Sequence, residues 1–155
     1  MLAKNCRTVF VFSVAMLFVA IAGYDAEAAA PWFVMFHGTL LQNRIVLMDW
    51  HENQRLTLSV AQAANISDRD LVDRPYIEVA YFWGPQWMSY PTDGTSLKKL
   101  EPQNGNQHGR FYPAYGAAEA VITLDQPSEP LKRKITQDGL EILTKYGIPA
   151  RVDKR

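Results

Sequence analysis

The most regular alternation of side chains lies between Pro75 and Pro91, a stretch that also holds six of the aromatic residues of the chain. Its first half places two sets of residues at alternate positions: Ile77, Val79, Tyr81 and Trp83 in one set, and Tyr76, Glu78, Ala80 and Phe82 in the other. A period of two that is rich in β-branched and aromatic residues predicts a β-strand. The Gly84-Pro85 step ends this strand, because proline has no amide hydrogen to donate to a neighbouring strand. Rings of this size require a second layer, so we expect the rest of the fold to pack on this strand, with Trp83 in the core.

Shorter apolar or alternating runs predict further strands at 32–37, 44–50, 55–62, 110–115 and 118–124. The polar loop 51–54 separates two of these runs and has the length of a hairpin connection, so 44–50 and 55–62 are predicted to pair. Thr92-Asp93-Gly94 predicts a turn that reverses the chain into 96–100, and the composition of 101–109 indicates a loop.

The C-terminal part of the chain changes from a period of two to a helical period. Leu140, Leu143 and Tyr146 lie at helical spacing, Thr136 is placed to act as the N-cap, and Gly147 follows the last turn. A helix at about 136–147 is therefore predicted. Six or seven short antiparallel strands and this single helix indicate a mainly β fold, a small β-sandwich. The alternative is an α+β fold in which the helix packs on an antiparallel sheet.

The N-terminal segment has the three parts of a secretory signal peptide. Lys4 and Arg7 precede the apolar run 9–21, and the small residues Ala26 and Ala28 follow it. A retained membrane anchor is the alternative, but the apolar run is shorter than the roughly 20 residues that span a bilayer. We therefore expect 1–28 to be removed near Ala28, membrane contact only during export, and a mature protein in the periplasm or outside the cell.

The predicted mature chain is large enough for one hydrophobic core, since 155 − 28 leaves the 127 residues 29–155 for a single domain. The only cysteine, Cys6, lies within the signal peptide, so no disulfide is expected. Removal of 1–28 takes away two basic and two acidic residues and leaves 14 of each (16 − 2 in both cases). A net charge near zero gives no basis for nucleic-acid binding.

Three histidines and two methionines are the candidate metal ligands: His37, His51, His108, Met35 and Met48. Strand ends and loops can converge at one end of a β-sandwich, and imidazole with thioether sulfur suits copper, whereas imidazole also suits zinc. His37 and Met48, with ten residues between them, resemble the first half of the motif of small periplasmic copper chaperones of β-sandwich fold. The second half of that motif is absent, since Asp70 stands where its histidine should fall. The alternative is that the histidines are ordinary surface or capping residues and the methionines fill the core.

The sequence lacks the motifs that would indicate catalysis by a serine nucleophile or binding of a nucleotide phosphate. It contains no Gly-x-Ser-x-Gly, no Ser-x-x-Lys and no glycine-rich phosphate loop. We therefore expect a non-enzymatic binding or interaction module without a cofactor. The rival hypothesis is a metal-handling protein, or a metal-dependent enzyme, that uses His37, His51 and His108.

The ligand-binding candidates are Trp87, Tyr90, Arg110 and Tyr112, which follow either the Gly84-Pro85 break or the loop 101–109. Aromatic rings on an open surface provide a large contact area at a low entropic cost. Such a surface suits a carbohydrate or a hydrophobic segment of a partner protein. If Trp87 lies on a connection, it should be less buried than Trp83.

Overall fold

The computed structural model describes residues 30–61, 71–125 and 131–153. The predicted signal peptide 1–28 and most of the connection after α1 lie outside the described residues. The described elements follow one another in this order: β1 Phe33–His37, β2 Ile45–Leu47, α1 Trp50–Ala61, β3 Ile77–Phe82, α2 Pro85–Met88, α3 Gly94–Lys99, a 3₁₀ helix Pro102–Asn104, β4 Gln107–Tyr112, β5 Ala114–Tyr115, β6 Val121–Leu124, β7 Leu131–Lys134, α4 Gln137–Lys145 and β8 Arg151–Val152.

Six of the strands form one antiparallel sheet in the order β2-β1-β3-β4-β6-β7. The short strands β5 and β8 pair in parallel as a separate two-stranded sheet. The strand predicted from the strongest alternation is β3, and it lies in the interior of the six-stranded sheet between β1 and β4. Because successive side chains of a strand point to opposite faces of the sheet, β3 contributes residues to both faces.

Helices α1 and α4 pack together on one face of the sheet, which we call the covered face. Leu56 of α1 and Ile142 and Leu143 of α4 join the buried strand residues Val34, Phe36, Leu47, Ile77, Val79, Tyr81, Phe111 and Ile122. The expected β-rich fold with a C-terminal helix is confirmed, in the α+β arrangement of helices on an antiparallel sheet. No helix among the described residues has the length and apolar character to cross a membrane.

The described residues cover only part of the opposite face of the sheet. One part of it carries a second apolar cluster made of Phe33, Met35, Ala80, Phe82 and Leu100. Trp32, Val46, Trp87 and Tyr90 pack against this cluster, and the last two come from the segment that contains α2 and α3. The rest of this face is polar.

The C-terminal helix matches the sequence prediction because its ends are determined locally. The Thr136 Oγ1 accepts a hydrogen bond from the Gly139 backbone N–H at 3.3 Å, which caps the first turn. Gly147 has a φ of 78°, a left-handed conformation that glycine adopts without a steric penalty. The Gly147 and Ile148 backbone N–H groups then bond to the last carbonyls of the helix.

The predicted hairpin between 44–50 and 55–62 is wrong, because 55–61 belongs to helix α1 rather than to a strand. The Asp49 carboxylate accepts a hydrogen bond from the Glu52 backbone N–H at 3.1 Å and so caps the helix. Leu56 is 1% exposed and Leu58 is 43% exposed, so these two residues do not face the same layer, as a strand would require. The alternation Leu56, Leu58, Val60 is compatible with either structure, and the cap at Asp49 favours the helix.

The predicted turn at 92–94 is instead the start of helix α3. The Asp93 carboxylate accepts hydrogen bonds from the Thr95 and Ser96 backbone N–H groups, both at 3.0 Å. The chain 96–100 is therefore helical to Lys99, and the predicted loop 101–109 ends earlier than expected, since β4 begins at Gln107. Asp followed by Gly and Thr signals an N-cap as well as a turn, and only the following residues distinguish the two.

Candidate ligand-binding site

The polar part of the second sheet face, which we call the open face, is formed by side chains from neighbouring strands: His37, Tyr76, Glu78, His108, Arg110 and Tyr112. The strand register places His37 opposite Glu78, and Glu78 opposite Arg110. The same row continues through Thr123 on β6 to Lys132 on β7. One line of polar residues therefore crosses five adjacent strands, although its members are far apart in the sequence.

His37 and Glu78 contact each other at one end of this row. The His37 Nδ1 lies 3.3 Å from the Glu78 Oε2. The pKa of His37 is lowered from 6.5, mainly because its ring is partly buried; Glu78 opposes this shift, whereas the nearby His108 and Arg44 add to it. His37 and His108 are thus close enough to influence each other electrostatically.

Two arginines and two tyrosines pack together in the centre of the open face. The Arg110 guanidinium lies over the Tyr76 ring at 4.5 Å, and the Tyr76 and Tyr112 rings are 5.7 Å apart. The pKa of Arg110 is raised, chiefly by a hydrogen bond with the Tyr112 side chain. The Arg74 guanidinium lies 5.9 Å from the Tyr112 ring and donates hydrogen bonds to the carbonyls of Pro113 and Glu119, both at 2.8 Å. Arg74 is buried and holds the chain around Tyr112 in place, whereas Arg110 and Tyr76 are exposed.

Two clefts flank the stack of Arg110 on Tyr76. The first, of about 300 Å³, is lined by Tyr76 and Glu78 together with Gly38, Thr39, Leu40, Arg74 and Pro75. The second, of about 390 Å³, which we call the β4–β7 cleft, is lined by Leu71, Val72, Arg110, Tyr112, Thr123, Asp125 and Lys132. These volumes are at the lower end of the range of small-molecule sites.

Two of the four ligand-binding candidates predicted from the sequence, Arg110 and Tyr112, lie on the open face. Trp87 and Tyr90 lie on the same side of the sheet but are half-buried in the second apolar cluster. The Trp87 ring packs edge-on against Phe82 at 4.9 Å, and its Nε1 donates a hydrogen bond to the Asn106 Oδ1 at 2.8 Å.

The Tyr90 hydroxyl donates a hydrogen bond to the Ser96 carbonyl at 3.0 Å, and the Tyr90 ring packs edge-on against Phe33 at 5.9 Å. These contacts attach the segment with α2 and α3 to the sheet. Trp83 is also half-buried, stacked on Tyr81 at 6.4 Å, so the expected contrast between a core Trp83 and a more exposed Trp87 is not found.

Of the three histidines, His37 and His108 lie on the open face and His51 does not. His51 is exposed in the first turn of α1, where its ring contacts Trp50. Met35 is fully buried in the second apolar cluster, and Met48 is 44% exposed between β2 and α1. Among the described residues, no group of three or more His, Cys, Asp or Glu side chains is arranged to hold a metal ion.

The sequence reasoning missed Tyr76, Glu78, Asp125 and Lys132 as members of the site. The alternation in β3 does place Tyr76 and Glu78 on the face opposite Tyr81. The sequence does not show that β3 lies between β1 and β4. This strand order brings Glu78 between His37 and Arg110.

Comparison with known proteins adds no further evidence, since no protein-family model, no curated protein and no solved structure matches this chain.

Proposed function

We propose that this chain is an exported, non-enzymatic binding protein whose ligand contacts the open face. The observation that carries the proposal is the exposed stack of Arg110 on Tyr76 between two clefts. Stacking on Tyr76 does not occupy the in-plane N–H groups of the Arg110 guanidinium, and the hydrogen bond with Tyr112 uses only some of its five donors. Export is supported by the sequence of residues 1–28.

The contrast between the two sheet faces supports a binding role for the open face. Helices α1 and α4 cover one face, and the segment with α2 and α3 covers part of the other. The remaining surface carries Glu78, His108 and Arg110, all exposed. Exposed charged residues of this kind contribute little to the free energy of unfolding, so their convergence in one row is better explained by contact with a ligand.

The experiment is a titration of isotope-labelled mature protein, followed by amide NMR shifts, with representatives of four ligand classes: glucose, a neutral tetrapeptide, phenylacetate and benzylamine. We expect at least one class to saturate shifts at His108 and Arg110 without being converted. Thr144, exposed on α4, is the control position. The double variant Tyr76→Ala/His108→Ala should weaken that binding at least tenfold. Saturable binding that maps to α4, or that the double variant leaves unchanged, would exclude the open face as the site.

The metal-handling hypothesis has one observation in its favour, the proximity of His37 and His108 on neighbouring parts of the open face beside Glu78. Its test is metal analysis of untagged protein after incubation with copper or zinc. Stoichiometric metal that is lost in His37→Ala and His108→Ala, but kept in His51→Ala, would support this second function and oppose the binding-protein proposal.

A further inference from the structure

We infer that the segment 84–99, which contains α2 and α3 and which we call the strap, unfolds locally while the six-stranded sheet stays intact. Trp87 and Tyr90 of the strap pack on Phe82 and Phe33 of the second apolar cluster. Local opening therefore removes this cover from two apolar rings that lie on the same side of the sheet as the open face. The inference goes beyond the proposed function and does not depend on it.

The strap is the longest run without a buried residue in the part of the chain that the structure describes. None of the residues 84–99 is buried, whereas Phe82 before the strap and Leu100 after it are almost inaccessible to solvent. Segments that bury few apolar groups open at a lower free-energy cost than the core does. The strap should therefore open more readily than β3 and β4, which contain the buried residues Val79 and Phe111.

Two half-buried rings attach the strap to the sheet. The Trp87 ring lies 4.9 Å from the Phe82 ring, and the Tyr90 ring lies 5.9 Å from the Phe33 ring. At the far end of the strap, the Arg44 guanidinium donates a hydrogen bond to the Lys98 carbonyl. These contacts hold the strap closed, and all of them can be lost without disturbing a pair of strands in the sheet.

Asn106, which directly precedes β4, latches the first turn of the strap. Its Oδ1 accepts hydrogen bonds from the Trp83 backbone N–H at 2.9 Å and from the Trp87 Nε1 at 2.8 Å. The Asn106 backbone N–H donates to the Tyr81 carbonyl at 2.8 Å, which fixes Asn106 to β3. Gly84 lies between the two donors and has a φ of 98°, so it provides a natural hinge. Asn106 thus joins the sheet to the strap across this hinge.

The two helices of the strap should unfold together. Helix α2 has four residues and α3 has six, far fewer than the roughly 12–15 residues that an isolated helix needs to be even marginally stable in water. A hydrogen bond at 3.0 Å from the Tyr90 hydroxyl to the Ser96 carbonyl joins the α2 end of the strap to α3. When the strap leaves the sheet, both helices lose the contacts that stabilise them, so the strap is one cooperative unit.

The test is native-state hydrogen exchange of the mature chain, followed by NMR at urea concentrations below the unfolding transition. The Tyr90 and Leu97 amides and the Trp87 indole N–H report on the strap, and the Val79 amide in β3 reports on the sheet. After correction for intrinsic rates, the strap groups should exchange at least a hundredfold faster than Val79 and with similar opening constants. Equal protection of the strap and Val79 would overturn the inference.

Ile142→Val separates local opening from global unfolding, because it shortens a buried side chain of α4 on the covered face. This change destabilises the closed and the strap-open states equally relative to the unfolded chain. Exchange at Val79 should therefore rise roughly two- to tenfold, while exchange in the strap stays unchanged. An equal rise in both places would show that the strap opens only when the whole domain unfolds, and would overturn the inference.

Asn106→Ala tests the latch, because it removes the acceptor of two hydrogen bonds. It should raise exchange in the strap about tenfold. Gln103→Ala is the matched control, since Gln103 is an exposed amide side chain in the 3₁₀ helix that follows the strap. It should leave exchange in the strap unchanged. Equal effects of the two variants would overturn the role assigned to Asn106.

Discussion

Strand β4 carries the clearest contrast in the molecule, because its consecutive residues Arg110 and Phe111 point to opposite faces of the sheet. Phe111 is fully buried on the covered face, where its ring meets Phe36 edge-on at 6.5 Å under helices α1 and α4. Arg110 is exposed and contacts only the side of the sheet that the helices leave open. One strand thus supplies both the core and the candidate site. Stability should depend on one face and ligand binding on the other.

The largest expected effect is on the covered face. Phe111→Ala should lower the free energy of unfolding by roughly 3–5 kcal/mol, because it removes buried apolar surface and leaves a cavity. In a domain of this size the loss corresponds to roughly 10–20 °C in melting temperature. Urea unfolding of Phe111→Ala beside Arg110→Gln measures the contrast, and Arg110→Gln should cost less than about 1 kcal/mol. Similar losses in the two variants would mean that the open face is also a structural surface.

Gly109 tests how closely β4 and β6 approach each other. A Cβ at this position would lie 1.9 Å from the Thr123 carbonyl oxygen, which is a backbone atom that cannot move independently. Gly109→Ala should therefore cost about 3 kcal/mol, the upper end of the usual range for overpacking. The control is Gly94→Ala in α3, where no atom lies within 4 Å of the added Cβ, and its midpoint in urea should stay the same or rise. A wild-type midpoint for Gly109→Ala would contradict the close approach.

The two tryptophans after β3 extend the comparison, because Trp83 packs on the covered face and Trp87 packs on the opposite face. Trp83 packs against the main core and Trp87 against Phe82 in the second cluster, and both are half-buried. Each Trp→Ala change should cost about 2–3 kcal/mol, somewhat less than for a fully buried ring. Differential scanning calorimetry of both variants measures this. A loss that is severe for Trp83→Ala and negligible for Trp87→Ala would return Trp87 to the role of an exposed binding residue.

The smallest expected effect concerns pH and His37. Its folded-state pKa is lowered from 6.5 by partial burial, with Glu78, His108 and Arg44 as the charged groups that face it. The folded state therefore favours the neutral ring, and this contribution to stability is present above about pH 6.5 and is lost as the pH falls below it. Urea midpoints at pH 7.5 and 5.5 should differ less in His37→Gln than in the wild type. An identical pH difference in both proteins would refute this assignment, and His51→Gln, exposed on α1, is the control.

Much of the secondary structure follows from the sequence because its signals are local. Thr136 and Gly147 determine the ends of α4 through bonds to their own helix, alternation predicts β3 and β6, and a short apolar run predicts β1. The same local reasoning failed for α1. Alternating leucines fit a strand or one side of a helix, and the N-cap Asp49 falls within the predicted strand 44–50.

The candidate site was only partly accessible from the sequence. Arg110 and Tyr112 were selected from the sequence, and the structure places both on the open face. Tyr76 and Glu78 were treated only as members of a strand. Which face of the sheet is covered depends on where α1 and α4 pack. The residues of β3 and β4 do not specify that position by themselves.

The sequence by itself determined a β-rich domain with a C-terminal helix, since caps and alternation act over a few residues. Tertiary structure alone decided that β3 lies between β1 and β4, so that His37, Glu78 and Arg110 form one row. It also decided that Trp87 is packed against Phe82 while Tyr76 remains exposed beside Arg110. The physical reason is that strand pairing and helix packing join residues that are distant in the sequence. The periodicity of one segment shows which of its faces is buried, but it does not specify which other segment packs against that face.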